Sequence, residues 1–132
     1  MIGIDTNLLI RLFTQDHEEQ ADKVAALMET LTRGNPGFVS TAVLVETYWV
    51  LSYTYKFPRQ DVSRCLAGIL ASAELVVENR RAVIRALATF DNGKTVGFTD
   101  CLIAETARQH GATQTYTFDR AAAREADMTL LS

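Results

Sequence analysis

Five short apolar segments, Ile2 to Asp5, Gly37 to Ser40, Glu74 to Val77, Thr113 to Thr117 and Met128 to Leu131, alternate with longer stretches whose apolar residues recur every three or four positions. The short segments suit strands and the longer ones amphipathic helices. Strands that alternate with helices are joined by crossovers, so the expected sheet is parallel and covered on both faces. Burial on both faces also explains why the strands are simply apolar rather than alternating with polar residues. A chain of 132 residues can bury one substantial core and is short for two. The expectation is a single domain over residues 1–132, a three-layer α/β/α arrangement.

The helical segments have readable ends. Leu8, Leu9, Leu12 and Phe13 stripe a first helix after Asp5, and Val24, Leu27, Met28 and Leu31 stripe a second from about His17 to Thr32. Arg33-Gly34-Asn35-Pro36-Gly37 breaks that helix. Thr41 is the expected N-cap of a helix reaching about Tyr55, and Pro58 starts another through Leu66, Ile69 and Leu70. Asn79 is placed to cap a helix with Val83, Ile84 and Leu87 inward. Phe98 to His110 reads as a helix closed by Gly111, and Asp119 opens a short alanine-rich helix. Trp49, Tyr53 and Phe57 recur four residues apart, a stripe that favours core over interface.

Composition narrows the function classes. A net charge of −3, from 13 Lys plus Arg against 16 Asp plus Glu, argues against a generally basic nucleic-acid coat, though not against a local basic path. No apolar stretch reaches a membrane-spanning length, so no membrane partner is expected. The opening Met1-Ile2-Gly3-Ile4-Asp5 does not resemble a secretory signal, and Cys65 and Cys101 form no zinc spacing; a cytoplasmic location is the expectation. His17 and His110 are expected at the surface or at helix ends.

Chemistry concentrates in four acids. Asp5 ends the first strand, Asp119 follows the fourth, and Glu46 and Asp100 lie early in helices. Each has an ordinary structural use: a strand-end cap for Asp5, an N-cap for Asp119, and a favourable charge at a helix start for Asp100. Glu46 interrupts the run Ala42-Val43-Leu44-Val45 and is expected to face a boundary or cavity. Converging carboxylates raise one another's pKa, and a hard divalent cation, Mg²⁺ or Mn²⁺, resolves that conflict with oxygen ligands.

The motifs around these acids carry a resemblance. Ile4-Asp5-Thr6-Asn7-Leu8-Leu9, Glu46 with Trp49-Val50-Leu51, Asp100-Cys101-Leu102-Ile103-Ala104 and Thr117-Phe118-Asp119-Arg120 are similar, in order and spacing, to the motifs of the PIN-domain family. Among its members the chain resembles the VapC-like ribonuclease toxins of bacterial toxin-antitoxin systems. The resemblance implies a parallel sheet of order 3-2-1-4-5, which would make the first and fourth strands neighbours. It implies metal-dependent endonucleolytic cleavage of RNA with Mg²⁺, or Mn²⁺ in its place. Asp5, Glu46, Asp100 and Asp119 are then the acidic set, with Asp5 and Asp100 the foremost metal ligands. One departure stands out: relatives of this subgroup often carry an acid three positions before the third-motif aspartate, where this chain has Gly97.

In the implied reaction, water activated by the metal attacks an RNA phosphodiester and leaves a 5′-phosphate and a 3′-hydroxyl. Thr6 and Thr117 are candidates to orient carboxylates or water, or to satisfy backbone groups. Arg11 and Arg120, close in sequence to the first and fourth motifs, are the candidate RNA contacts. The implied partners are RNA, a VapB-like antitoxin and a second copy of the chain. Alternatives are an RNA-processing PIN nuclease outside a toxin system and a catalytically weak RNA-binding or protein-binding PIN-like module. A haloacid-dehalogenase-like phosphatase fits less well, because its early motif wants an aspartate where Asn7 stands.

Overall fold

A computed structural model describes residues 1–132, which form two units, Met1–Glu78 and Asn79–Ser132. The class is α/β, with two small parallel sheets. No helix is long and apolar enough to cross a membrane.

The first unit runs β1 (Ile2–Gly3), α1 (Thr6–Thr14), α2 (Glu18–Glu29), β2 (Gly37–Val39), α3 (Thr41–Trp49), a π-helical turn (Val50–Thr54), α4 (Arg59–Ala71) and β3 (Leu75–Val77). Its sheet has the order β1-β2-β3, with Ile2 opposite Gly37, and Phe38 opposite Val76. The strands are shorter than their apolar segments, yet the ladder continues past their ends: Ile4 N–H donates to Phe38 O and Glu78 N–H to Val39 O, both at 2.9 Å. Leu9, Val39, Leu44, Leu51 and Leu66 are fully buried around this sheet. Removing each such side chain from water stabilises the unit by about 1.5–3 kcal/mol.

Gly37 is the tight point of β2. A Cβ there would lie 2.9 Å from both Ile4 Cγ1 and Leu75 Cδ2, and 3.0 Å from Leu31 Cδ1. The missing side chain lets β1, β3 and the end of the α2 segment close over the middle strand. Gly37→Ala is therefore expected to destabilise the protein by about 1–3 kcal/mol, as overpacking does. A urea midpoint unchanged from wild type would contradict this.

The α3 segment departs from the sequence expectation in two ways. Ser40, not Thr41, is the N-cap: its Oγ accepts from Val43 N–H at 3.2 Å, while Thr41 N–H donates to Glu78 Oε1 at 2.7 Å. A Ser-Thr pair offers two equivalent caps, and only the backbone path chooses between them. The helix also does not continue regularly to Tyr55. It widens at Val50 into the π turn, closed by Tyr55 N–H to Val50 O at 3.0 Å. The expected core stripe of Trp49, Tyr53 and Phe57 does not form, and Phe57 is only half-buried. Tyr48 and Leu51 are buried, whereas Trp49 and Tyr53 are 49% and 56% exposed and stack on each other with ring centroids 4.3 Å apart.

The second unit runs α5 (Arg80–Asn92), α6 (Phe98–Gln109), β4 (Tyr116–Thr117), α7 (Arg120–Glu125) and β5 (Thr129–Leu130). β4 and β5 are parallel, with Tyr116 opposite Thr129. The hydrogen-bonded ladders are thus 3-2-1 and 4-5, in two sheets. α5 packs on α6 through a stripe of Ala82, Val83, Ala86, Leu87 and Phe90. Ile84, expected inward, is 47% exposed, because the small alanines take the contact face and rotate it away. Asn79 stands at the N-cap of α5 in the left-handed region, φ 55°, without a side-chain cap bond; its Nδ2 donates instead to Thr106 Oγ1 at 3.5 Å.

The close of α6 follows expectation. Gly111 has φ +95°, its N–H donates to Arg108 O at 3.1 Å, and Ala112 N–H donates to Ala107 O at 3.0 Å. This is a Schellman ending, which glycine adopts without steric cost.

Candidate active site

Each unit carries two of the sequence-predicted acids. In the first, Asp5 takes the N-cap position of α1, yet its exposed carboxylate makes no cap hydrogen bond. The ordinary use of an aspartate at that place is not exercised. Glu46 lies in the second turn of α3, which packs against α1. It is exposed rather than facing a cavity; the inward position is taken by Thr47, one residue and about 100° further round the helix.

In the second unit, Asp100 lies in the first turn of α6 and Asp119 caps α7. Asp119 Oδ1 accepts from Ala122 N–H at 2.8 Å, so its capping role is real and engages one carboxylate oxygen. Thr117 Oγ1 accepts from Asp119 N–H at 2.9 Å, so Thr117 satisfies and fixes the backbone that presents Asp119. Asp100 is half-buried, and burial pushes its carboxyl above the ordinary range, with the negative charge of Asp119 adding to the rise. A half-buried carboxyl beside another negative charge is a setting in which a hard cation is stabilising.

Three threonine hydroxyls, those of Thr6, Thr47 and Thr99, are buried without a hydrogen-bond partner. Each is the sequence neighbour of an acid: Asp5, Glu46 and Asp100. A buried hydroxyl left without a partner costs about 1–3 kcal/mol. The sequence singled out Thr6 as a candidate to orient a carboxylate or water, and did not single out Thr47 or Thr99. Within neither unit does a group of three or more His, Cys, Asp or Glu side chains gather to hold a metal.

The two arginines differ. Arg11 is tied into a network: Nε donates to Gln20 Oε1 at 2.7 Å, and Nη1 to Asp16 Oδ1 and Tyr55 Oη, both at 3.3 Å. Tyr55 also donates to Asp16 at 2.8 Å, and this bond, followed by that from Thr14, holds the Asp16 carboxyl below its ordinary value. Arg11 thereby links α1 to the end of the π turn. Arg120 begins α7 and is exposed.

The electrostatically most perturbed acid in the second unit is one the sequence did not single out. Glu125, at the end of α7, accepts from the backbone N–H groups of Thr95, Val96 and Lys94, which pull its carboxyl down to about 2. No pattern announced it, since it ends an alanine-rich run of good helix formers. The sign of its pH dependence follows from the lowered value. Its stabilisation is fully present above the ordinary 4.5 and is lost as pH falls toward about 2. The stability difference between wild type and Glu125→Gln is expected to shrink as pH falls through that window; chemical denaturation at pH 6, 4 and 2.5 measures it.

The chain belongs to the PIN-domain family, whose model matches residues 2–127. It is similar to the VapC ribonuclease of Aquifex aeolicus (strain VF5), 26% identical over 118 residues, covering 89% of this chain and 86% of that protein.

Proposed function

We propose that the chain is a divalent-metal-dependent endoribonuclease, the toxin of a toxin-antitoxin pair, in which Asp5, Glu46, Asp100 and Asp119 are the acidic set. The family match over residues 2–127 supports the nuclease class, and the similarity to a VapC ribonuclease supports RNA as substrate. The observation that carries it is the Asp100–Asp119 pair, where burial and like charge hold one carboxyl above its ordinary range. Perturbed carboxyls concentrate at working sites. The same reading includes a single domain over residues 1–132 and the strand order 3-2-1-4-5.

The acids would hold Mg²⁺, or Mn²⁺ in its place. When bound, the cation supplies a water of lowered pKa and neutralises charge on the phosphate oxygens. Asp119, with Oδ1 committed to its helix, offers Oδ2, and Thr117 keeps its backbone in place. Asp5, free of a capping bond, offers both oxygens. The expected products carry a 5′-phosphate and a 3′-hydroxyl. Arg120, exposed beside Asp119, is the better placed cation for RNA, since Arg11 is already engaged. A VapB-like antitoxin and a second copy of the chain are the proposed partners, and the exposed Trp49–Tyr53 stack is a surface suited to protein contact.

Sequencing RNA ends after incubation with wild type or Asp5→Asn, in Mg²⁺, Mn²⁺ or chelator, tests the assignment. New 5′-phosphate ends are expected only with wild type and metal. Stable RNA association without metal-dependent cleavage would favour the binding-module alternative, which Gly97 at the N-cap of α6 keeps physically reasonable by removing one acid from the set.

A further inference from the structure

Resting on the nuclease reading above, we propose that Glu125 is a positioning residue: by clasping the backbone of residues 94–96 it fixes the start of α6, and with it Asp100, relative to the helix that Asp119 caps.

Three consecutive backbone donors converge on one carboxylate. Oε1 accepts from Lys94 N–H at 3.2 Å, Thr95 N–H at 2.9 Å and Val96 N–H at 2.8 Å, Oε2 accepts from Lys94 N–H at 3.1 Å, and the Thr95 hydroxyl adds a longer bond at 3.4 Å. Successive N–H groups facing one point form an anion-binding nest, and here its occupant comes from the chain itself. Bonds of this kind to a carboxylate are about twice as strong as neutral ones. The depressed carboxyl of Glu125 is their electrostatic counterpart.

The position of the clasp gives it consequence. Residues 94–96 join α5 to α6, and α6 starts at Phe98 from Gly97, which has no side chain to cap the helix. Gly97 itself makes no side-chain cap bond, so the chain entering the helix bears on how its start is held. Glu125 holds the segment one residue upstream. It stands at one end of α7 while Asp119 stands at the other, where Oδ1 caps the helix. α7 is therefore a short rigid strut, about 9 Å between these two residues at 1.5 Å per residue. One end grips the entrance to α6 and the other presents an acid whose charge reaches Asp100. The clasp is also close-packed: a Cβ at Gly93 would lie 3.1 Å from Glu125 Oε1 and 2.9 Å from Val96 Cγ1. Glycine at 93 leaves the carboxylate room to seat.

The test compares wild type, Glu125→Ala and Glu125→Gln at a temperature where circular dichroism shows each folded. Residual dipolar couplings report the orientation of α6 against α7 without metal or RNA. Mn²⁺ binding by electron paramagnetic resonance reports the site, and kcat and KM report cleavage. In Glu125→Ala the α6–α7 orientation is expected to change, Mn²⁺ affinity to fall by about 10-fold or more, as loss of a supporting residue does, and kcat to fall with KM for RNA little altered. Glu125→Gln, which keeps one acceptor oxygen, is expected to lie between and carries the same measurements if the alanine variant does not fold. Unchanged helix orientation with unchanged Mn²⁺ affinity overturns the proposal. If wild type binds Mn²⁺ but cleaves no RNA, the nuclease reading fails, while the couplings and the affinities still decide the role of Glu125.

Discussion

Asp100→Asn is expected to reduce RNA cleavage by at least about 100-fold, the scale on which one electrostatic contact to a reacting centre contributes, while leaving the fold at least as stable at neutral pH as wild type. The two effects have one cause. Asp100 is half-buried near Asp119, so ionising it is unfavourable in the folded state, and its carboxyl is held above the ordinary range. A group whose folded pKa is raised in this way opposes folding once pH exceeds its unfolded value. Asparagine keeps the shape, removes the charge and relieves that opposition. It also removes the metal ligand proposed at this position, so activity and stability are expected to move in opposite directions. Asp119→Asn is expected to behave similarly, because asparagine caps a helix as well as aspartate does and preserves the acceptor for Ala122 N–H. Single-turnover cleavage assays with thermal melts at pH 7 decide this. A stable Asp100→Asn variant with wild-type activity would remove Asp100 from the acidic set.

Phe98→Ala is expected to cost about 3–5 kcal/mol, the range for emptying a buried aromatic site. Phe98 is fully buried and meets Phe90 edge to face, with ring centroids 6.2 Å apart and planes at 89°. That pair joins α5 to α6, and the geometry contributes beyond area burial. Phe98 is also the first residue of α6, two before Asp100. The cavity left by its removal would sit at the helix start, where Gly97 supplies no cap. Loss of stability should therefore be accompanied by loss of cleavage even in the molecules that remain folded. Guanidinium unfolding measures the first effect, and activity per folded molecule the second. A loss below 1 kcal/mol would show that the α5–α6 junction collapses onto the vacated space.

The Phe98 case illustrates what is readable in order along the chain. Helix existence was legible because apolar periodicity reports which face meets the core: α1, α2, α4, α5 and α6 occur where the stripes place them. Ends were legible where one residue alone can satisfy the backbone, as at Gly111. They were not where neighbours compete, as Ser40 and Thr41 do for one cap. The π turn at Val50–Thr54 had no local signal, because its residues are compatible with a regular helix. Its consequence, the exposure of Trp49 and Tyr53, was hidden with it. Ile84 shows the same limit: hydrophobicity placed it inward, while close packing of Ala82 and Ala86 selected a different face.

By itself the sequence determined the alternation of strands and helices and the parallel character of the ladders, and it placed the candidate acids at element ends, since these depend on local periodicity and residue type. Tertiary structure alone decided which chemical groups are engaged. Asp5 stands at a cap position without capping, Asp119 caps with one oxygen, Arg11 is held by Asp16 and Tyr55, and Glu125 gathers three backbone amides from a segment about thirty residues away. Hydrogen bonds and charge interactions act through space over a few ångströms, so their partners are chosen by how the chain returns on itself. Residue order constrains that return without displaying it.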